Sequence, residues 1–144
     1  MKLKIFGIVI LVLVAMQFIP YGKDHSNPAV VSEPQWNSNQ TKALFLKACG
    51  DCHSHVTKWP KYSNYAPVSW LVQSDVEEGR QHFNVSNWGP QQRNKGDEAA
   101  GAVREGEMPP WYYLLPHPEA RLTDAETQTL ISGLVATFGD KEKK

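Results

Sequence analysis

The chain has two cysteines, three positions apart in Cys49-Gly50-Asp51-Cys52, and His53 comes directly after them. No other feature constrains the fold as strongly. With no third cysteine, no disulfide can staple distant segments together, so the domain must be held by packing or by something bound. Near a helix end, residues three apart face the same way. Two thiols so placed can each reach one vinyl group of a single macrocycle, with the next residue carried beneath its metal. C-x-x-C-H is the attachment spacing of a c-type haem. The expectation is one covalent haem, with Cys49 and Cys52 as the attachments and His53 as the proximal iron ligand.

A bare C-x-x-C has other readings. A zinc half-site needs two further ligands. His53, His55, His82 and His117 are available, but no second pair has zinc-finger spacing. A thioredoxin-like redox pair belongs in a βαβ context, and no alternating strand pattern of useful length occurs. A local disulfide remains open in an exported chain.

An iron held on one face by His53 needs its sixth ligand from a distant segment. Met1 and Met16 lie at the N-terminus, which leaves Met108, with Pro109 and Pro110 after it. A thioether on a proline-stiffened loop suits both oxidation states of iron, although methionine more often only fills core gaps. His82 and His117 compete for the position; His55 is too near His53 to reach the opposite face. Arg80 offers a guanidinium to a haem propionate, or is a solvated helix arginine. Trp59, Trp70, Trp88 and Trp111 could pack on the haem or serve ordinary loop packing. Asp75 sits beside an apolar stripe, where it could cap a loop or move a proton.

Lys2 and Lys4 precede an apolar run from Ile5 to Ile19, broken only by Gly7 and Gln17. This reads as a signal that exports the rest of the chain. No small-x-small cleavage context comes after the run, so a retained single-pass anchor in a bacterial cytoplasmic membrane is expected, with the domain facing the periplasm. If the signal is cleaved, the domain is periplasmic. Residues 1–20 are then the signal anchor or signal peptide, 21–37 a polar tether, and 38–144 a mono-haem domain. From Asp24 onward 12 Lys and Arg face 15 Asp and Glu, a net charge of 12 − 15 = −3. That balance argues against a nucleic-acid partner.

The periodicity predicts four helices after the anchor. The first runs from about Gln40 to Cys49, capped by Ser38 or Asn39. The second covers Val68 to about Phe83, with Val68, Leu71, Val72, Val76 and Phe83 as its stripe. A short third fits Asp97 to Glu105, stopped by Gly106. The last begins at a Thr123/Glu126 capping box and ends at Gly139. Pro60, Pro67, Pro90, Pro109, Pro110, Pro116 and Pro118 punctuate long loops, and all five Trp and all five Tyr lie outside the predicted last helix. The fold class is all-α, a small cytochrome c-like helical domain with long proline- and aromatic-rich loops, preceded by a membrane helix.

Several strings in order, ACGDCHSHVTKWP from Ala48, then YSNYAPVSW, DVEEGRQHFNVSNW and MPPWYYLLPHPEARLT, resemble the bacterial haem-binding-domain family of small exported proteins with one CxxCH. The resemblance covers nearly the whole chain and implies a compact, mostly helical domain with one haem c. Where some members carry histidine this chain has Asp75, so the sixth position leans further on Met108. The expected function is single-electron transfer between periplasmic or membrane redox partners. The rival is a haem-based sensor or peroxidase-like enzyme with a labile sixth ligand and a polar distal residue such as His82, Asp75 or Arg80. A structural module with a disulfide is the third reading.

Overall fold

The computed structural model describes residues 1–89 and 94–141. Pro90, among the expected loop prolines, lies outside the described residues. The helices are α1 (Lys2–Met16), α2 (Asn39–Ala48), α3 (Gly50–His53), α4 (Val68–His82), α5 (Ala99–Arg104) and α6 (Asp124–Phe138), with 3-10 turns at Lys61–Asn64, Gly96–Glu98 and Pro118–Ala120. Among the described residues there is no strand. A single bridge joins Ser32 to Asn87.

The membrane helix expected at the N-terminus requires correction, and with it the single-pass localisation. No helix among the described residues is long and apolar enough to cross a membrane. α1 has 15 residues, which at ~1.5 Å each reach about 22 Å, against a hydrocarbon core of ~30 Å. The chain turns at Gln17, whose side-chain amide donates to the Ala66 carbonyl at 2.8 Å and accepts from the Ala66 N–H at 3.1 Å. The apolar run to Ile19 therefore does not continue as helix.

The stretch 21–37, read as a tether, lies along the domain. His25 stacks on Trp59 with ring centroids 4.7 Å apart. Asn27 donates to the Thr57 carbonyl at 2.9 Å. Trp36 packs against Phe45 and Phe138.

α2 and α6 form the back of the domain. Ser38 caps α2 by accepting from the Thr41 N–H at 3.1 Å, and the helix buries Thr41, Leu44, Phe45 and Ala48. Both bonds of the expected capping box start α6, and Gly139, with φ +86°, ends it. A side chain at Gly133 would meet Thr41 Oγ1 at 2.1 Å, so the two helices approach more closely there than any Cβ allows. Phe45, Phe83, Val85, Ala100, Leu130 and Leu134 centre the core.

α4 departs from its predicted stripe. Val76 and Phe83 are buried, but Leu71 is 65% exposed while Ser69 is fully buried. Gly22, with φ +74°, lies so close to the Ser69 carbonyl that a Cβ would sit at 2.3 Å from it. The 21–37 stretch thus covers the Ser69 side of α4 and leaves Leu71 outward. The expected third helix begins as the 3-10 turn Gly96–Glu98 and becomes α only at Ala99.

Candidate functional site

A cleft of about 450 Å³ opens between the α2–α3 junction, α4, α5 and the loop after α5. Its apolar lining includes Phe45, Phe83, Ala99, Ala102, Val103 and Leu134. Cys49, Cys52, His53 and Met108 all line it too. The volume is that of a small-molecule or cofactor site, and the mix of apolar lining with few polar groups is typical of one.

The attachment wall is built by local structure. Cys49 ends α2, and its N–H donates to the Phe45 carbonyl at 2.7 Å. The chain then makes the single turn α3, which carries Cys52 and His53. A Cβ on Gly79 would meet the Cys52 carbonyl at 2.5 Å, so α4 backs directly onto this turn. Both thiols are free. Burial, then the neighbouring Cys52, pushes the Cys49 thiol up to about 12. Burial, then Asp75 and Asp51, pushes Cys52 up to about 12. Such thiols are protonated at neutral pH, unlike the reactive thiolates of redox pairs. Among the described residues, no group of three or more His, Cys, Asp or Glu could hold a metal ion, so the zinc reading lacks its ligand set.

His53 is buried and stacks on Phe83 with ring centroids 4.4 Å apart. Burial lowers its pKa, against an opposing pull from the Phe83 and Gly79 carbonyls. The ring is therefore neutral at pH 7. Its Nδ1 lies 3.1 Å from the Phe83 carbonyl oxygen. An Nδ1–H that donates there leaves the lone pair on Nε2, the usual arrangement of a metal-binding histidine.

A second wall is a loop. Met108 is 40% exposed, and its N–H donates to the Ala102 carbonyl at 3.1 Å. Tyr113 ties this loop to the attachment wall, donating from its hydroxyl to Asp51 Oδ2 at 2.8 Å. The other Asp51 oxygen accepts from the Lys58 N–H at 2.9 Å. Burial, then Asp51 beside it, raises the Tyr113 pKa. Tyr112 is hydrogen-bonded to Asp75, whose carboxyl is pushed up by burial and then by Glu78.

Two histidines weighed as iron ligands are committed elsewhere. His117 holds Tyr62 on Nε2 at 2.6 Å and Glu119 on Nδ1 at 3.1 Å. His55 holds Asn84 on Nε2 and the Ala29 carbonyl on Nδ1. His82 does line the cleft, where it faces Glu98 at 3.3 Å. Arg80 does not line it. Its guanidinium donates to the Ser54 carbonyl, Asn27 and Thr57 at 2.9–3.0 Å and joins three segments behind the site. None of Trp59, Trp70, Trp88 or Trp111 lines the cleft. Sequence reasoning missed the lining residues Tyr112, Tyr113, Lys95 and Glu98.

The haem-binding domain model matches residues 11–136. The chain belongs to the haem-binding domain family. No curated protein and no solved structure matches it. A haem fits this cleft on three observations. The lining is mainly apolar, a neutral histidine with Nδ1 already engaged stands in it, and a thioether from the loop after α5 lines it as well. Cys49, Cys52, His53 and Met108 are the residues that would hold it.

Proposed function

We propose that the chain carries one haem covalently, through thioethers of Cys49 and Cys52, and passes single electrons. The observation that carries this reading is the shared lining of one cleft by both thiols, His53 and Met108, although Met108 comes from a separate part of the chain. When bound, the haem supplies a one-electron iron couple, and His/Met ligation gives it a higher potential than two histidines would. The contacts of the chain define its roles. Phe83 and Gly79 orient the His53 ring. The Ala102 carbonyl and Tyr113 hold the loop that would offer the sulfur of Met108 to the iron. The apolar lining excludes water from the metal's surroundings. Attachment of this kind takes place outside the bacterial cytoplasm, so the reading puts the domain in the periplasm, working between redox partners there.

The test is an absorption spectrum of the purified oxidised and reduced protein, and then acid–acetone extraction. The expected result is a low-spin ferric spectrum with the weak near-infrared sulfur-to-iron band, and colour that stays with the precipitated protein. Extraction of all the colour overturns covalent attachment.

One observation favours a second reading, a sensor or peroxidase-like protein. Met108 is partly exposed, and His82 and Asp75 both line the cleft. That reading expects a high-spin ferric form and ready carbon monoxide binding by the unmodified ferrous protein.

A further inference from the structure

We propose that the propionate carboxylates of the haem are received by Lys95 and His82, where the last turn of α4 meets the Gly96–Glu98 turn, and not by Arg80. The proposal rests on haem binding alone and needs neither covalent attachment nor Met108 ligation.

Charge singles out this corner. Asp51, Asp75, Glu78, Glu98 and Glu107 line the cleft, and Lys95 is the one lysine or arginine among the described lining residues. A propionate placed near Asp51, Asp75 or Glu78 meets like charge in a partly desolvated site, which is strongly disfavoured. Only the Lys95 end differs. There Glu98 is shared among His82 at 3.3 Å, Lys95 at 3.7 Å and Lys141 at 3.3 Å. Lys95 and Lys141 both reach Glu98 there, so this corner, unlike the rest of the lining, offers ammonium groups to an incoming carboxylate.

The corner is also fixed in place. The Lys95 N–H donates to the His82 carbonyl at 3.2 Å, which ties the turn to the end of α4. Gly96 is wedged under Trp88 and Phe138, where a Cβ would sit 2.6 Å and 3.0 Å from their rings. The Lys95 side chain is half-exposed, so its three N–H donors are free to turn toward a carboxylate. Arg80, the other cation suited to the task, has its guanidinium bonded to Ser54, Asn27 and Thr57.

Two measurements on the haem-loaded protein test this. In the first, a water-soluble carbodiimide couples carboxylates to adjacent amines, and the haem-bearing fragments are weighed after digestion. The expected product is an amide between a propionate and Lys95. Coupling of haem to another lysine, or to none, overturns the proposal. In the second, reduction potential is tracked against pH in the wild type, Lys95→Gln and Lys95→Arg. An ammonium beside a carboxylate lowers its pKa by about 1 unit or more. Lys95→Gln should therefore move the acid inflection of the curve upward by about 1 pH unit or more, and Lys95→Arg should restore it. An inflection unmoved by Lys95→Gln overturns the proposal. A preparation with no haem spectrum is the separate failure of the haem reading itself.

Discussion

The two walls of the cleft are built by different means. The attachment wall, Ala48 to Ser54, is short in sequence, helical and mostly buried, and α4 presses on it at Gly79. The second wall, in the loop Glu107 to His117, has little regular structure; Trp111 and Leu115 there are largely exposed, Met108 and Tyr112 partly so. It is held by a few long-range polar contacts, chiefly Tyr113 to Asp51 and Tyr62 to His117. Packing fixes the first wall whether or not anything is bound. The second reaches its position by bonds that a single substitution can remove. The difference teaches that, in the proposed haem site, His53 would be the rigid ligand and Met108 the adjustable one.

The largest effects should come from the two proposed ligands. His53→Ala removes the ring that Phe83 holds and would leave the proposed haem site without its iron donor. The low-spin spectrum should be lost at every pH, as checked by optical and electron paramagnetic resonance spectra. Met108→Ala should leave the haem on the protein but abolish the near-infrared band, lower the potential and open the site to carbon monoxide. If both substitutions gave the same spectrum, the contrast between the walls would be gone.

The next two changes address the supports of each wall. Gly79→Ala puts a methyl group 2.5 Å from the Cys52 carbonyl. Overpacking of this kind costs about 1–3 kcal/mol, here by driving α4 off the Cys52 turn. A thermal melt should show the loss, with a lower haem-to-protein ratio. Tyr113→Phe removes a hydrogen bond to a carboxylate without altering shape. Partial exposure brings its cost toward the lower end of the ~1.5–3 kcal/mol such bonds are worth. The loss should fall on the loop. A fraction of the protein should become high-spin and bind carbon monoxide, while the haem stays attached. A Tyr113→Phe spectrum identical to wild type would mean that the loop is positioned by something other than the latch.

The same contrast separates the legible parts of the sequence from the rest. The attachment wall was legible because its chemistry lies in five consecutive residues, and the helices behind it carry local signals at Ser38, Thr123, Glu126 and Gly139. The place of Met108 in the cleft lining was legible by elimination, as the one methionine after the N-terminal segment. Its supports were not. Nothing local in the sequence pairs Tyr113 with Asp51, or assigns both nitrogens of His117 to Tyr62 and Glu119. Arg80 looked suited to a propionate because a guanidinium makes paired, charge-assisted hydrogen bonds to a carboxylate. The three groups that occupy its guanidinium come from two other segments of the chain. The membrane helix failed for a simpler reason: hydropathy extended the run to Ile19, while the Gln17 side chain turns the chain onto Ala66.

The smallest expected effect comes from Thr123→Ala, at the start of the helix behind the attachment wall. Thr123 Oγ1 accepts from the Glu126 N–H at 3.2 Å, and the Thr123 N–H donates to Glu126 Oε2 at 2.8 Å. The bond from Lys47, then those from Thr123, hold the Glu126 carboxyl down to about 2. A carboxylate whose folded pKa is lowered contributes stability in full above its unfolded value, about 4.3, and loses it as pH falls through the folded one. Loss of the cap hydroxyl should cost about 1 kcal/mol at pH 6. The cost should shrink as the pH falls from about 4.3 toward 2, because over that range the unfolded chain takes up a proton that the folded Glu126 does not, and the stability contributed by the ionised carboxylate is lost. Thermal melts of the two proteins at pH 6 and pH 2.5 measure this. The haem spectrum should be the same in both at pH 6, since the cap lies outside the cleft lining and touches neither wall. A spectral change at pH 6 would show that α6 supports the Met108 loop directly, and the division between a packed wall and a latched one would have to be redrawn.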